Sequence, residues 1–116
     1  MELVLLGSND RIATLTCSGD ITCQDFKNPW NPLVLILGED CLDNTVILDL
    51  QKARGIDTKG VHWLAQTHRL FQDAGGKIIL HSVPLRIYHM LRFLKLDKVL
   101  HLARNLTESL ALTRGN

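Results

Sequence analysis

The chain has 116 residues, a mass of 13.1 kDa and 46% hydrophobic residues, one domain's worth of polypeptide with enough apolar surface for a single compact core. Its longest apolar run, Leu33–Leu37, falls far short of the roughly 18 residues of a membrane-spanning helix. Its opening, Met1-Glu2 followed soon by Ser8-Asn9-Asp10, lacks the basic-then-apolar order of a secretory leader. The expectation is a cytoplasmic protein with no membrane insertion, spanning residues 1–116 as one domain.

Three cysteines, Cys17, Cys23 and Cys41, form an odd count without Cys-x-x-Cys spacing, which points to reduced thiols rather than to a disulfide framework or a zinc knuckle. The net charge of +1 conceals an asymmetry: residues 1–50 hold eight acidic and two basic side chains, residues 51–116 four acidic and eleven basic. The basic residues are dispersed and lack interleaved aromatics, so no nucleic-acid partner is expected.

In chain order, Glu2–Leu6 and Arg11–Cys17 read as two antiparallel strands joined by the turn-forming Gly7-Ser8-Asn9-Asp10. The second strand is expected to stop at Ser18-Gly19-Asp20, where a loop begins. Asn28-Pro29 and Asn31-Pro32 break the next stretch, because the residue before a proline avoids helical dihedrals. Asn31 as a cap with Pro32 in the first turn predicts a short helix through Leu37, ended by Gly38, with a strand over Val34–Leu37 as the alternative.

Thr45–Leu50, β-branched and apolar apart from Asp49, predicts a central strand covered on both faces. After a polar crossing, Val61, Leu64, Ala65, His68 and Phe71 recur at helical spacing up to Gly75-Gly76. Lys77–Ser82 is a further compact strand, so the helix before it is a crossover between two parallel strands. Pro84 then opens a helix in which Leu85, Tyr88, Leu91 and Phe93 or Leu94 are expected to face inward, with Arg86, His89 and Arg92 facing water. Val99–Leu102 predicts a last strand, and Leu106–Leu112 a last helix capped by Asn105 or Thr107, with Thr113–Asn116 as a frayed tail. The order ββ(α)βαβαβα means an α/β domain: a mixed, mostly parallel sheet of about five strands covered by about four helices.

Catalytic chemistry finds little support. No pair among His62, His68, His81, His89 and His101 has the i, i+4 spacing of a helical zinc motif, and there is no Gly-rich phosphate loop or cysteine-nucleophile signature. His68, on an apolar stripe, reads as a core histidine. The expectation is a protein that is not an enzyme and holds no metal or cofactor.

Three segments together carry a resemblance: VILDLQKARGIDTKG followed by V-x-x-L, the Gly75-Gly76 turn before KIILHS, and RIYHMLRFLKLDKVLHLA. With them the chain resembles the STAS domain of anti-sigma factor antagonists, the SpoIIAA-like family, over nearly its whole length. The family's pattern is an apolar strand ending Asp-Leu, then Ile-Asp-Ser-Ser-Gly, a helix, a Gly-Gly turn, a strand, and a helix ending in Leu-Asp. The resemblance implies a regulatory module of transcription that binds an anti-sigma factor which is also a serine/threonine kinase, as a monomer or weak dimer. The kinase phosphorylates the second serine of the motif, and the unmodified form binds the partner so that the sigma factor is released. Here that position is Lys59, while Thr58 stands at the first serine and Asp57 and Gly60 are kept.

The first amides of a helix lack internal partners and carry partial positive charge, so Asp57 or Thr58 can cap the helix that starts here. Thr58 is therefore read in two ways: as a cap, or as the phosphorylation candidate, where a phosphate would gain from the helix terminus, Lys59 and Arg54. Moving the hydroxyl by one position turns it by about 100° around the helix axis. Lys59 opposes the helix dipole and is either a tolerated exposed residue or a partner of an acidic group. The remaining partner-binding candidates are Asp20, Ile21 and Thr22 in the preceding loop, together with Asp57, Gly60 and Trp63. Trp63 lies off the Val61–Leu64–His68 stripe and reads either as an exposed anchor or as packed against a flanking helix. Beside the switchable antagonist stands a second reading, a STAS subunit or scaffold that binds constitutively, for example in a lipid-transport ABC system. Asp57-Thr58-Lys59-Gly60 fits the Asp-Thr-x-Gly of that group. A small nucleotide- or ligand-binding module is a third.

Overall fold

The strand expected at the centre is at the centre. In the computed structural model, which describes residues 1–9 and 11–114, β3 (Thr45–Ile56) is the middle strand of a five-stranded sheet ordered β1-β2-β3-β4-β5. β1 (Glu2–Asn9) pairs antiparallel with β2 (Ile12–Ile21), and β2, β3, β4 (Lys77–His81) and β5 (His101–Ala103) run parallel. Side chains alternate across a strand, so Val46, Leu48 and Leu50 face one way and Ile47 the other, all fully buried.

The first face joins Leu15 and Cys17 of β2 and Ile78 and Leu80 of β4 to Val46, Leu48 and Leu50 in one core. Leu33 of α1 (Pro32–Leu37), Leu64 and Phe71 of α2 (Thr58–Asp73), and Ile87 and Leu91 of α3 (Leu85–Phe93) close it. Ile47, Ile79 and Ala103 form the smaller cluster on the second face, where α4 (Leu106–Arg114) packs across β3, β4 and β5. Among the described residues no helix is long and apolar enough to cross a membrane.

Several boundaries differ from expectation, and in each case backbone pairing overrides side-chain polarity. β1 runs on to Asn9 with a bulge at Leu6, and Arg11 takes a left-handed φ of 67°; Asp10, in the expected turn, lies outside the described residues. β2 does not stop at Cys17. It continues through Ser18-Gly19-Asp20 to Ile21, with register shifts against β3 and Gly19 at φ 81°, which a glycine adopts without strain. β3 likewise runs through the expected polar crossing to Ile56, because Gln51–Ile56 keep a paired backbone while Lys52 and Arg54 point to water and Ala53 inward.

α1 forms as a helix, not a strand: the Asn31 side chain accepts from the Leu33 amide at 2.9 Å, Pro32 opens the first turn, and Gly38 ends it at φ 85°. In α3 the inward residues are Ile87 and Leu91, whereas Leu85, Phe93 and Leu94 are exposed. Apolar residues stand on nearly every side of this helix, so more than one stripe fits the sequence, and docking on the sheet selects one. β5 lies two residues later than Val99, and α4 is capped by Asn105, whose side chain accepts from the Glu108 amide at 2.8 Å. α4 takes in Thr113 and Arg114 of the expected tail; residues 115 and 116 lie outside the described residues.

Candidate functional site

At the carboxyl ends of β2 and β3 the two extended strands deliver Asp20-Ile21-Thr22 and Ile56-Asp57 side by side. The Asp57 amide donates to the Ile21 carbonyl at 3.0 Å. Asp57 is the N-cap of α2: one carboxylate oxygen accepts from the Gly60 amide and the other from the Cys23 amide, both at 2.9 Å. One side chain thus fastens the helix start to the turn after β2. The Gly60 amide, with Cys23 and Lys59 contributing and burial opposing, holds the Asp57 carboxyl below its ordinary 3.8, so it is ionised at neutral pH.

Gly60 is required for steric reasons. A Cβ there would stand 2.7 Å from the Ile21 carbonyl oxygen and 2.6 Å from Ile56 Cγ1, closer than such atoms approach. The helix start is thereby drawn onto the strand ends. Thr58 and Lys59, the next residues round the first turn, are exposed. The Thr58 hydroxyl takes part in no hydrogen bond, and Lys59 in no ion pair, among the described residues.

The eight expected site positions therefore separate. Asp20, Thr58 and Lys59 are exposed, Thr22 and Asp57 half-buried, and all five cluster at the α2 N-terminus. Ile21 is fully buried in the core, Gly60 is enclosed, and Trp63 is 4% exposed. Ile21 faces inward because the strand expected to end before it continues through it. Trp63 packs on Phe26 with ring centroids 5.3 Å apart, and its Nε1–H donates to Asn31 Oδ1 at 3.4 Å. The alternative of packing against a flanking helix is the one realised.

Asn31 had been singled out only as a helix cap. Its amide also donates to Thr67 Oγ1 at 2.9 Å, which ties α1 to α2. Between these helices opens a groove of about 890 Å³, bordered by Lys59, His62, Gln66 and Leu70 of α2 and by Trp30 and Asp43 opposite. Trp30, 59% exposed, is the residue that sequence reasoning passed over, and its position between two Asn-Pro pairs was the available signal. Elsewhere, burial pushes the Cys17 thiol up to about 12, leaving it an unreactive core residue. Cys17, Cys23 and Cys41 are all free. His68 is buried with its ring 5.3 Å from that of His101.

The STAS domain family model matches residues 5–109. The chain belongs to the STAS family. No curated protein shows a significant sequence match. Among solved structures, this STAS chain is similar to a candidate anti-sigma factor antagonist of Thermotoga maritima, with 15% identity, a TM-score of 0.78, and 97% of this chain and 94% of that one covered. It is similar to the anti-sigma factor antagonist SpoIIAA in its unphosphorylated form, at 13% identity and TM-score 0.71, over 99% and 100% of the two chains. It is also similar to a sulfate transporter family protein of Wolinella succinogenes, at 19% identity and TM-score 0.73, over 97% and 89%. At such identities the likeness establishes a shared fold, the mixed, mostly parallel STAS sheet with its four helices.

Proposed function

We propose that this STAS domain is a regulatory protein-binding module of the anti-sigma factor antagonist type, which sequesters an anti-sigma factor/kinase partner in the cytoplasm. The observation that carries the reading is the α2 N-terminus. Asp57 locks it to the strand ends, and the two residues that follow, Thr58 and Lys59, stand exposed beside an open groove. A rigid helix start with unused polar groups presents a partner with a pre-ordered surface, which lowers the entropic cost of docking. Asp20 and Thr22 adjoin it on the neighbouring strand end, and Trp30 offers an exposed aromatic anchor across the groove.

In this reading Thr58 is the regulated residue. Its hydroxyl is accessible because Asp57, not Thr58, performs the capping. A phosphate there would sit on the first turn of a 16-residue helix, beside Lys59, and would present about −1.5 to −2 charges to the docked partner. Thr58→Glu is expected to weaken partner binding at least about tenfold while Thr58→Ala stays near wild type, measured by calorimetry with the kinase captured from the source cell. Equal affinities for the two variants would sink the switch.

Lys59 supports a second reading, a subunit or scaffold that binds its partner constitutively, as in a lipid-transport ABC system. The resemblance aligns Lys59 with the family's phosphorylated serine, and Lys59 is exposed with no ion pair among the described residues. Mass spectrometry of purified Thr58 peptides after incubation with the partner and ATP separates the two readings: an unmodified Thr58 with intact binding favours the scaffold.

A further inference from the structure

On the flank formed by α3, the residues that failed to turn inward make a pattern of their own. At about 100° per residue, Arg92, Leu85, His89, Phe93 and Arg86 follow one another across the outward side, diametrically opposite the buried pair Ile87 and Leu91. His89 lies at the middle of this ridge, Leu85 and Phe93 on either side of it, and the two arginines along its borders. Phe93 is 83% exposed and Leu85 69%. The turn that follows continues the composition with exposed Leu94, Lys95, Lys98 and Val99.

None of Arg86, Arg92, Lys95 and Lys98 forms an ion pair among the described residues, and the only acidic residue from Leu85 to Val99 is the half-buried Asp97. We infer that this ridge is a docking surface for an anionic lipid bilayer, with Leu85 and Phe93 entering the headgroup boundary and the four cations meeting lipid phosphates. The occupant follows from shape and charge together. The outward side of a helix is convex, and the cleft beside α3, about 380 Å³, takes in Tyr88 but none of the five ridge residues. A bilayer supplies its own yielding surface. Long basic side chains on both borders of an apolar strip can reach outward to phosphates while the strip sinks between them. The ridge is short, so attachment is peripheral and reversible and depends on membrane charge.

Co-sedimentation of the full chain with vesicles tests this. Vesicles of phosphatidylcholine with roughly one-third phosphatidylglycerol are expected to bind the protein at least about tenfold better than phosphatidylcholine alone, and added salt should erase the difference. Each basic residue near an anionic surface is worth about fivefold in partitioning, so the Arg86→Glu/Arg92→Glu pair should lose more than about 25-fold. Phe93→Ser should lose the apolar share, whereas Leu6→Ser, at a residue 64% exposed on β1, should bind as wild type. All four substituted positions are exposed, so melting temperatures should not move, and the experiment does not involve the α2 surface. Absence of binding to anionic vesicles, equal binding to both vesicle types, or wild-type binding by the arginine variant overturns the inference. Capture of an acidic protein by the ridge, without any vesicle binding, overturns it as well.

Discussion

Asp57→Ala probes the node on which the α2 site depends. The substitution removes the acceptor for the Gly60 amide and that for the Cys23 amide. Loss of an N-cap costs about 1 kcal/mol, and loss of a carboxylate from the positive end of the helix costs a further 0.3–1 kcal/mol or so. The Cys23 amide is exposed and recovers much of its bond from water. The expected destabilisation is about 2 kcal/mol, which for a domain of this size lowers the melting temperature by about 8 °C and the urea midpoint by about 1 M. The pH dependence identifies the cause. A carboxylate whose folded pKa is depressed contributes stability that is present above its ordinary 3.8 and is lost as the pH falls through the lower folded value. The gap between wild type and variant should thus be full at neutral pH and should narrow below 3.8. Urea titrations followed by circular dichroism measure it. A gap under about 0.5 kcal/mol at neutral pH, or one that stays constant into acid, would refute the assignment of Asp57 as the ionised cap.

Gly60→Ala places a Cβ against a carbonyl that cannot yield, so a loss of about 1–3 kcal/mol is expected in thermal melts, and an unchanged melting temperature would refute the close approach. Lys59→Glu should separate two readouts: slightly higher stability, by about 0.3–1 kcal/mol, from relief of the helix dipole, together with weaker partner binding where Lys59 meets an acidic group. Unchanged affinity removes Lys59 from the interface. For His101, burial first, then Lys77 and His68, hold the imidazole below its ordinary 6.5. Protonation then favours the unfolded chain, so stability should decline as the pH falls below 6.5. His101→Gln should flatten that decline, and an identical pH profile in the variant argues against the assignment.

Much of the fold was legible because local chemistry and tertiary demand agree at the decisive places. The apolar Thr45–Leu50 marks the central strand, the 3.6-residue stripe from Val61 to Phe71 marks α2, and Asn31-Pro32 with Gly38 brackets α1. The helix start at Asp57-Thr58 was legible for the same reason, since a cap leaves a local spelling, whereas the choice of Asp57 over Thr58 and the close approach at Gly60 came from the fold. Strand ends were less legible: Ser18–Ile21 and Gln51–Ile56 are polar or glycine-bearing, yet they are held by backbone pairing that side chains do not announce.

What the sequence determined by itself was thus the order of elements, the family and the place of the Asp57-Thr58-Lys59-Gly60 turn at the start of α2. Tertiary structure alone decided which candidates reach solvent. Ile21 and Trp63 turn into the core because β2 runs past its polar residues and Phe26 folds over α2, while Leu85 and Phe93 turn outward because α3 docks through Ile87 and Leu91. Each of these outcomes depends on contacts between segments far apart in the chain, and a local pattern of polarity carries no record of which side its neighbours will cover.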